Sequence, residues 1–236
     1  MSEYIYGINV CKAAIDSKYP FKQILLEENN YSFIKYLRKQ NLPYVLVKRN
    51  VLNNINNNHQ GIAIEIEKFT TYQLDDIIKI KNNNSNKPLI IMLDGLEDPH
   101  NFGAVLRIAD AAGVDGVIYR KDRSVKINST VARVSTGALF FIKCVEVTNN
   151  VMALKCLKEK GYWIVGAEAS PTSTDYRDIK YDMATVLVIG SEGKGLSRLV
   201  KEHCDYLVEI PMVGNVNSLN AAVATGILTF HIKQFK

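Results

Sequence analysis

Two hydrophobic rhythms divide this 236-residue chain. Over residues 1–70 the apolar runs are short and change period often. "INVCKAAIDS" predicts a helix, "FKQILLEE" an extended segment, and "YSFIKYLRKQ" a helix with Phe33, Ile34 and Leu37 on its stripe. "PYVLVK" and "GIAIEIEK" predict strands, the second carrying Ile62, Ile64 and Ile66 on one face. These elements make a small α/β domain. "NNINNN" is a polar loop. "TYQLDDIIKIKNNNSNK" has a short amphipathic run and then an Asn-rich tract, which predicts a linker over 71–87 with its boundary near 80–87.

From Pro88 the rhythm lengthens. "PLIIMLD" is apolar almost throughout, as expected of a strand covered on both faces of a parallel sheet. Helical "NFGAVLRIADAAG" follows, then strand "DGVIY", helix "INSTVARVSTGAL", strand "IKCVEV", helix "VMALKCLKEKG" and strand "YWIVGAEA". After the loop "SPTSTDYRDIKYD" come strand "ATVLVIG", helix "GLSRLVKEHC", strand "YLVEIP" and a final apolar helix. This alternation predicts an α/β domain over 88–236 with a mainly parallel sheet, and it leaves the strand order open. Ligand sites in such sheets lie at the carboxyl ends of the strands. Three loops there are unusual: "DGLEDPHNFGAVLR", "GSEGKG" and "PMVGNVNSLN".

The last of these raises a question. Ser218 suits an N-cap, whose hydroxyl would close an orphan backbone N–H. Asn220 would then lie inside the first turn, where its helix propensity is poor and it has no capping duty. That placement calls for a second use of both polar groups.

Composition narrows the function classes only a little. The net charge is +5, with basic residues outnumbering acidic ones by 11 to 8 up to residue 86 and by 18 to 16 beyond it. Such a mild excess permits a nucleic-acid partner without demanding one. Arg120, Lys121, Arg123 and Lys126 form a denser cluster, for which solvated surface and a binding role weigh equally. Lys12, Lys22 and Arg49 are candidate phosphate contacts in the first domain. The four cysteines show no CxxC spacing and the four histidines are scattered, so no metal site is expected. "MSEYIYGINV" lacks the features of a signal peptide, and no uncharged apolar stretch is long enough to span a membrane. A cytoplasmic protein with reduced thiols is expected.

"GSEGKGLS" is not a phosphate-binding P-loop, because Lys194 precedes Gly195 and no Ser or Thr follows the Lys. Nor is it a dinucleotide fingerprint, since Arg198 stands where the last glycine belongs. A plain turn would use the glycines but would not need Glu192.

Together the three loops are specific. Asn101-x-Gly103-x-x-x-Arg107, Gly190-Ser-Glu192-Gly-x-Gly195-Leu, and Ile210-Pro211-Met212 followed by Ser218-Leu219-Asn220 resemble the three motifs of the SpoU family of RNA ribose 2′-O-methyltransferases, within the SPOUT superfamily. The resemblance covers roughly residues 88–236. "YGINVCKAAI" and "HQGIAI" are similar to the RNA-binding domain of members that act on bacterial large-subunit ribosomal RNA, in particular those methylating a guanosine of the peptidyl-transferase loop.

The resemblance implies a SPOUT domain with a deep trefoil knot, a homodimer, S-adenosyl-L-methionine as cofactor, ribosomal RNA as partner, and neither membrane nor metal. It implies that Gly190, Gly195, Ile210, Met212 and Leu219 contact the cofactor. It also implies that Arg107 is the catalytic group, with Asn101, Glu192, Ser218 and Asn220 organising the site. Ser218 and Asn220 would face Arg107 and the ribose. The helix behind them, "AAVATGILTF", would serve both burial and the dimer interface. Alternatives are a transfer-RNA methyltransferase of the same family, a non-catalytic RNA-binding protein, and an oxidoreductase that the missing fingerprint disfavours.

Overall fold

A computed structural model describes residues 3–78 and 87–236. The chain forms two compact units, one of residues 1–70 with 127–141, the other of residues 71–126 with 142–236.

The first unit contains β1 (Glu3–Tyr6), α1 (Ile8–Asp16), β2 (Gln23–Glu27), α2 (Tyr31–Lys39), β3 (Val45–Val47), α3 (Arg49–Asn53) and β4 (Ile62–Ile66). Its sheet has the order β1-β4-β2-β3, antiparallel except for β2 with β3. Ile5, Cys11, Leu26, Leu37, Ile62 and Ile64 are fully buried in it. Strand β1 and helix α3 were not visible in the apolar pattern, being only 4 and 5 residues long.

The second unit begins before the expected domain start. Of the stretch read as a linker, residues 72–78 pack into it: Tyr72 bridges to Val145, Leu74–Asp76 form one 3-10 turn, and Ile77 is fully buried. Residues 79–86, where the boundary was expected, lie outside the described residues.

Its elements are β5 (Leu89–Asp94), α4 (Pro99–Ala111), β6 (Gly116–Arg120), then, after α5 (Ser129–Val134) of the first unit, β7 (Cys144–Val147), α6 (Asn150–Glu159) and β8 (Trp163–Ala167). There follow β9 (Thr174–Asp175), β10 (Thr185–Gly190), α7 (Arg198–Lys201), β11 (Tyr206–Glu209) and α8 (Ala221–Lys233). The seven strands are ordered β7-β6-β5-β10-β8-β11-β9, and every pair is parallel. Strands β5 and β10 lie at the centre, which explains why they are apolar on both faces.

The helix expected over "INSTVARVSTGAL" is cut short. Thr136 (φ 56°) and Gly137 (φ 89°) are left-handed, and the Gly137 N–H closes on the Ala132 carbonyl at 3.1 Å, a helix-ending turn. Residues 127–141 belong to the first unit rather than to the sheet they interrupt. Gly137 sits so close to α1 that a Cβ there would come within 2.3 Å of the Ala13 Cβ, and Phe140 meets the Tyr19 ring edge-on at 4.9 Å.

Ile77 covers Gly116 on β6, where a Cβ would meet the Ile77 side chain at 2.6 Å. Ile77→Ala is expected to cost about 2–5 kcal/mol, the usual range for emptying a full core site. Urea unfolding reads this out, and a loss below about 0.5 kcal/mol, the size of an ordinary surface substitution, would place residues 72–78 outside the core.

Candidate active site

Strand register brings the unusual loops together. Gly190 pairs with Asp94, Ile189 with Ala167, and Val208 with Ala167, so β5, β10, β8 and β11 all end at one edge of the sheet. The loops after them surround a cavity of about 600 Å³, within the ~300–1,000 Å³ typical of small-ligand sites. Gly190, Gly195, Ile210, Met212 and Leu219 all line it, as do Glu192, Ser218 and Asn220. Ile189, Ile210, Leu219 and Leu228 supply apolar walls, and the charged residues Glu168, Lys194 and Glu209 line it too.

Three side chains far apart in sequence meet at its edge. The Asn101 Nδ2 donates to Glu192 Oε1 at 3.0 Å. The Asn220 Nδ2 donates to the same oxygen at 2.9 Å and to Asn101 Oδ1 at 2.8 Å. One carboxylate oxygen thus fixes two amides, one in the first turn of α4 and one at the start of the final helix. Asn101 is held because Asp98 caps α4, accepting from the His100 N–H at 2.9 Å, and Pro99 occupies the first turn.

The capping expectation needs correction. The N-cap of α8 is Asn220, whose Oδ1 accepts from the Ala222 and Val223 N–H groups at 2.9 and 3.3 Å. Ser218 lies two residues ahead of the cap and lines the cavity instead. Asn220 therefore does both jobs: its oxygen caps while its nitrogen donates to the cluster.

Gly190 packs against the far side of its own loop. A Cβ there would fall 2.3 Å from the Gly195 backbone carbon, so the glycine is required by the fold of its own loop. Ser191 and Gly195 exchange backbone hydrogen bonds at 3.1 and 3.0 Å, closing that loop on itself.

Two acidic side chains escaped the sequence reading. Buried Asp94, ending β5, accepts from the Ser197 N–H at 2.7 Å and from Asn150 Nδ2 at 2.9 Å. Glu168, just after β8, accepts from the Leu196 N–H at 2.9 Å and pairs with Lys201. Together they hold the 190–197 loop from both flanks. Their position at strand ends was the available signal.

Arg107 is not brought to this cluster. It is exposed on α4 and is not among the residues that line the cavity, whereas Ser218 and Asn220 are. Of the candidate phosphate contacts, Lys22 and Arg49 sit 3.9 and 4.0 Å from Glu67 and Glu27, and Lys12 lies over the Tyr36 ring. Burial pushes the Cys144 and Cys204 thiols up to about 12, so both are protonated at neutral pH. Among the described residues no group of three or more potential ligands could hold a metal, and no helix is long and apolar enough to cross a membrane.

A wholly parallel α/β sheet carries a small-ligand-sized cavity and a convergent amide–carboxylate cluster at its carboxyl edge, where ligand sites of such sheets lie. Residues 88–230 match the SpoU rRNA Methylase family, and residues 4–72 match the RNA 2′-O ribose methyltransferase substrate-binding family. The chain belongs to the SpoU family of RNA methyltransferases. A relative in Staphylococcus haemolyticus named as a TrmH family tRNA/rRNA methyltransferase is 43% identical over 234 residues, 97% of this chain and 94% of that one. An rRNA methyltransferase from Sinorhizobium meliloti, solved with AdoMet bound, superposes with a TM-score of 0.81 at 25% identity, covering 99% of this chain and 87% of its own. A SpoU methyltransferase from Streptomyces viridochromogenes, in complex with AdoMet, shares the fold at TM-score 0.85 and 24% identity, with 99% and 90% covered.

The two roles of Asn220 can be separated. Asn220→Ala is expected to lose about 0.5–2 kcal/mol of stability with the cap. Asn220→Ser keeps a capping oxygen and should unfold at higher denaturant than Asn220→Ala, yet it loses both amide hydrogen bonds just as Ala does. Denaturation and methyl-transfer assays on both variants check this; a fully active Asn220→Ser would show that the cap alone matters.

Proposed function

We propose that this protein methylates a ribose 2′-hydroxyl of large-subunit ribosomal RNA, at a guanosine of the peptidyl-transferase loop. The observation that carries the reading is the Asn101–Glu192–Asn220 cluster at the rim of the cavity. Family membership supports an RNA substrate, and the match over residues 4–72 supports ribose as the acceptor. S-adenosyl-L-methionine, when bound, supplies an electrophilic sulfonium methyl group. Apolar Ile210, Met212 and Leu219 would hold its flat ring, and the 190–195 backbone would approach closely.

Methyl transfer of this kind is mainly a positioning problem, because the hydroxyl oxygen must lie in line with the methyl group. The interlocked amides provide fixed polar groups at the rim, and they need no reorganisation during reaction. Arg107 is a poor general base, since a guanidinium stays protonated at neutral pH. We assign it to electrostatic stabilisation and phosphate engagement.

The exposed position of Arg107 supports a homodimer in which one protomer's Arg107 serves its partner's cavity. Helix α8 supports the same view: Ala222, Thr225, Leu228 and Ile232 are buried, whereas Val223, Ile227 and Phe230 are exposed. The knotted C-terminal path implied by the resemblance and the cytoplasmic location expected from the sequence belong to this proposal too.

Mapping 2′-O-methyl groups in cells with and without the protein tests the target. Loss of one guanosine methyl group from large-subunit ribosomal RNA is expected; loss only from transfer RNA would overturn the ribosomal assignment. Arg107→Ala should reduce turnover by about 10²–10³ with cofactor affinity nearly intact by calorimetry. Arg107→Lys keeps the charge but not the planar fork, so rescue by Lys would favour charge alone. Arg107→Ala activity within about threefold of wild type, well short of the expected loss, would remove Arg107 from the mechanism.

A further inference from the structure

The 190–197 loop has a second cavity on its other flank, of about 460 Å³. Glu192 borders both cavities, and Asn101 borders this one. Its cationic lining comes from three places: Arg120 at the end of β6, Arg123 in the segment after it, and Lys194 in the second loop.

Four carboxylates, Asp94, Glu97, Asp98 and Glu192, line the same cavity, so the cations stand out by their placement and not by an excess of charge. The Arg120 Nε is buried and has no hydrogen-bond partner, an arrangement that native structures normally close with a ligand or water. Among the described residues, none of the three cations forms an ion pair. Three of these carboxylates are hydrogen-bonded within the protein: both Asp94 oxygens accept, Asp98 caps α4, and one Glu192 oxygen takes two amides. Arg123 is exposed and held at φ 53°, in the left-handed region where glycine would be less strained. A planar fork suits the paired oxygens of a phosphate.

We propose that this cavity binds a backbone phosphodiester of the RNA strand beside the target ribose, held by Arg120 and Arg123 with Lys194 closing over it. The inference rests on the RNA-methylation reading above and names how that substrate is held. Phosphate contacts fix register and orientation without reading sequence. Placed against the amide cluster, such a contact would set which face of the ribose meets the cofactor cavity.

The test uses full-length wild type, Arg123→Ala and Arg120→Gln. The RNA probe is a fluorescein-labelled transcript of the large-subunit peptidyl-transferase loop, followed by anisotropy across a salt series. Each variant should weaken RNA binding by roughly tenfold and lower the log–log salt slope by about 1. S-adenosyl-L-methionine binding by calorimetry should stay within about twofold of wild type, because no lost contact faces the cofactor. Arg123 is exposed, so Arg123→Ala carries the test if Arg120→Gln does not fold. Unchanged RNA affinity and slope in Arg123→Ala would overturn the proposal. So would weakened cofactor binding with RNA binding intact. Inorganic phosphate binding that Arg123→Ala abolishes, with no change in the RNA slope, would assign the cavity to a free anion and also overturn it. Because anisotropy requires no turnover, wild type that shows these binding effects but leaves ribose unmethylated would remove the functional reading and keep this site.

Discussion

Strand β10 lies hydrogen-bonded between β5 and β8, and the site depends on that placement. The register sets Gly190 beside Asp94 and Ile189 beside Ala167, so three strands from distant parts of the chain end level. All three are parallel, and their loops therefore leave on the same side. The 190–197 loop is then fixed from both flanks, by Asp94 on the Ser197 N–H and by Glu168 on the Leu196 N–H. Hydrogen bonds to ionised acceptors are the stronger kind. A Cβ on Gly190 would collide with the returning backbone, so sequence and loop geometry are matched there.

With that loop in place, Glu192 can meet Asn101 and Asn220. The consequence is a coupling between stability and chemistry. Asn220 uses its oxygen to start α8 and its nitrogen to join the cluster. The helix therefore cannot shift at its N-terminus without disturbing the polar groups at the cavity rim. Burial of Thr225, Leu228 and Ile232 behind the cap anchors the same helix in the unit. The apolar side chains Val223, Ile227 and Phe230 of the same helix are left exposed.

The same loop separates two kinds of lining. Toward the 600 Å³ cavity it joins the apolar walls of Ile189, Ile210, Leu219 and Leu228; the other cavity adds Arg120 and Arg123, and Lys194 borders both. An apolar slot next to one that carries two arginines among its charged groups is the division that our proposal of a flat cofactor ring and a nucleic-acid backbone would use. Glu192 likewise borders both and is part of the shared wall.

The sequence by itself determined the class of fold and the identity of the three loops. Continuous apolar runs such as "PLIIMLD" and "ATVLVIG" have only one comfortable home, the middle of a covered parallel sheet. Glycines and polar residues at the ends of such runs mark the ligand edge. Short elements stayed hidden, because β1 and α3 contain too few residues for a period to show. The tertiary structure decided what depends on neighbours distant in the chain. Periodicity could not reveal that Ile77 covers Gly116, that residues 127–141 join the first unit, or that Arg107 stays clear of its own cavity. It placed the cap at Ser218, since Ser and Asn are equally good caps. Only the meeting of Asn220 with Glu192, 28 residues away, and with Asn101, 119 residues away, selects the second.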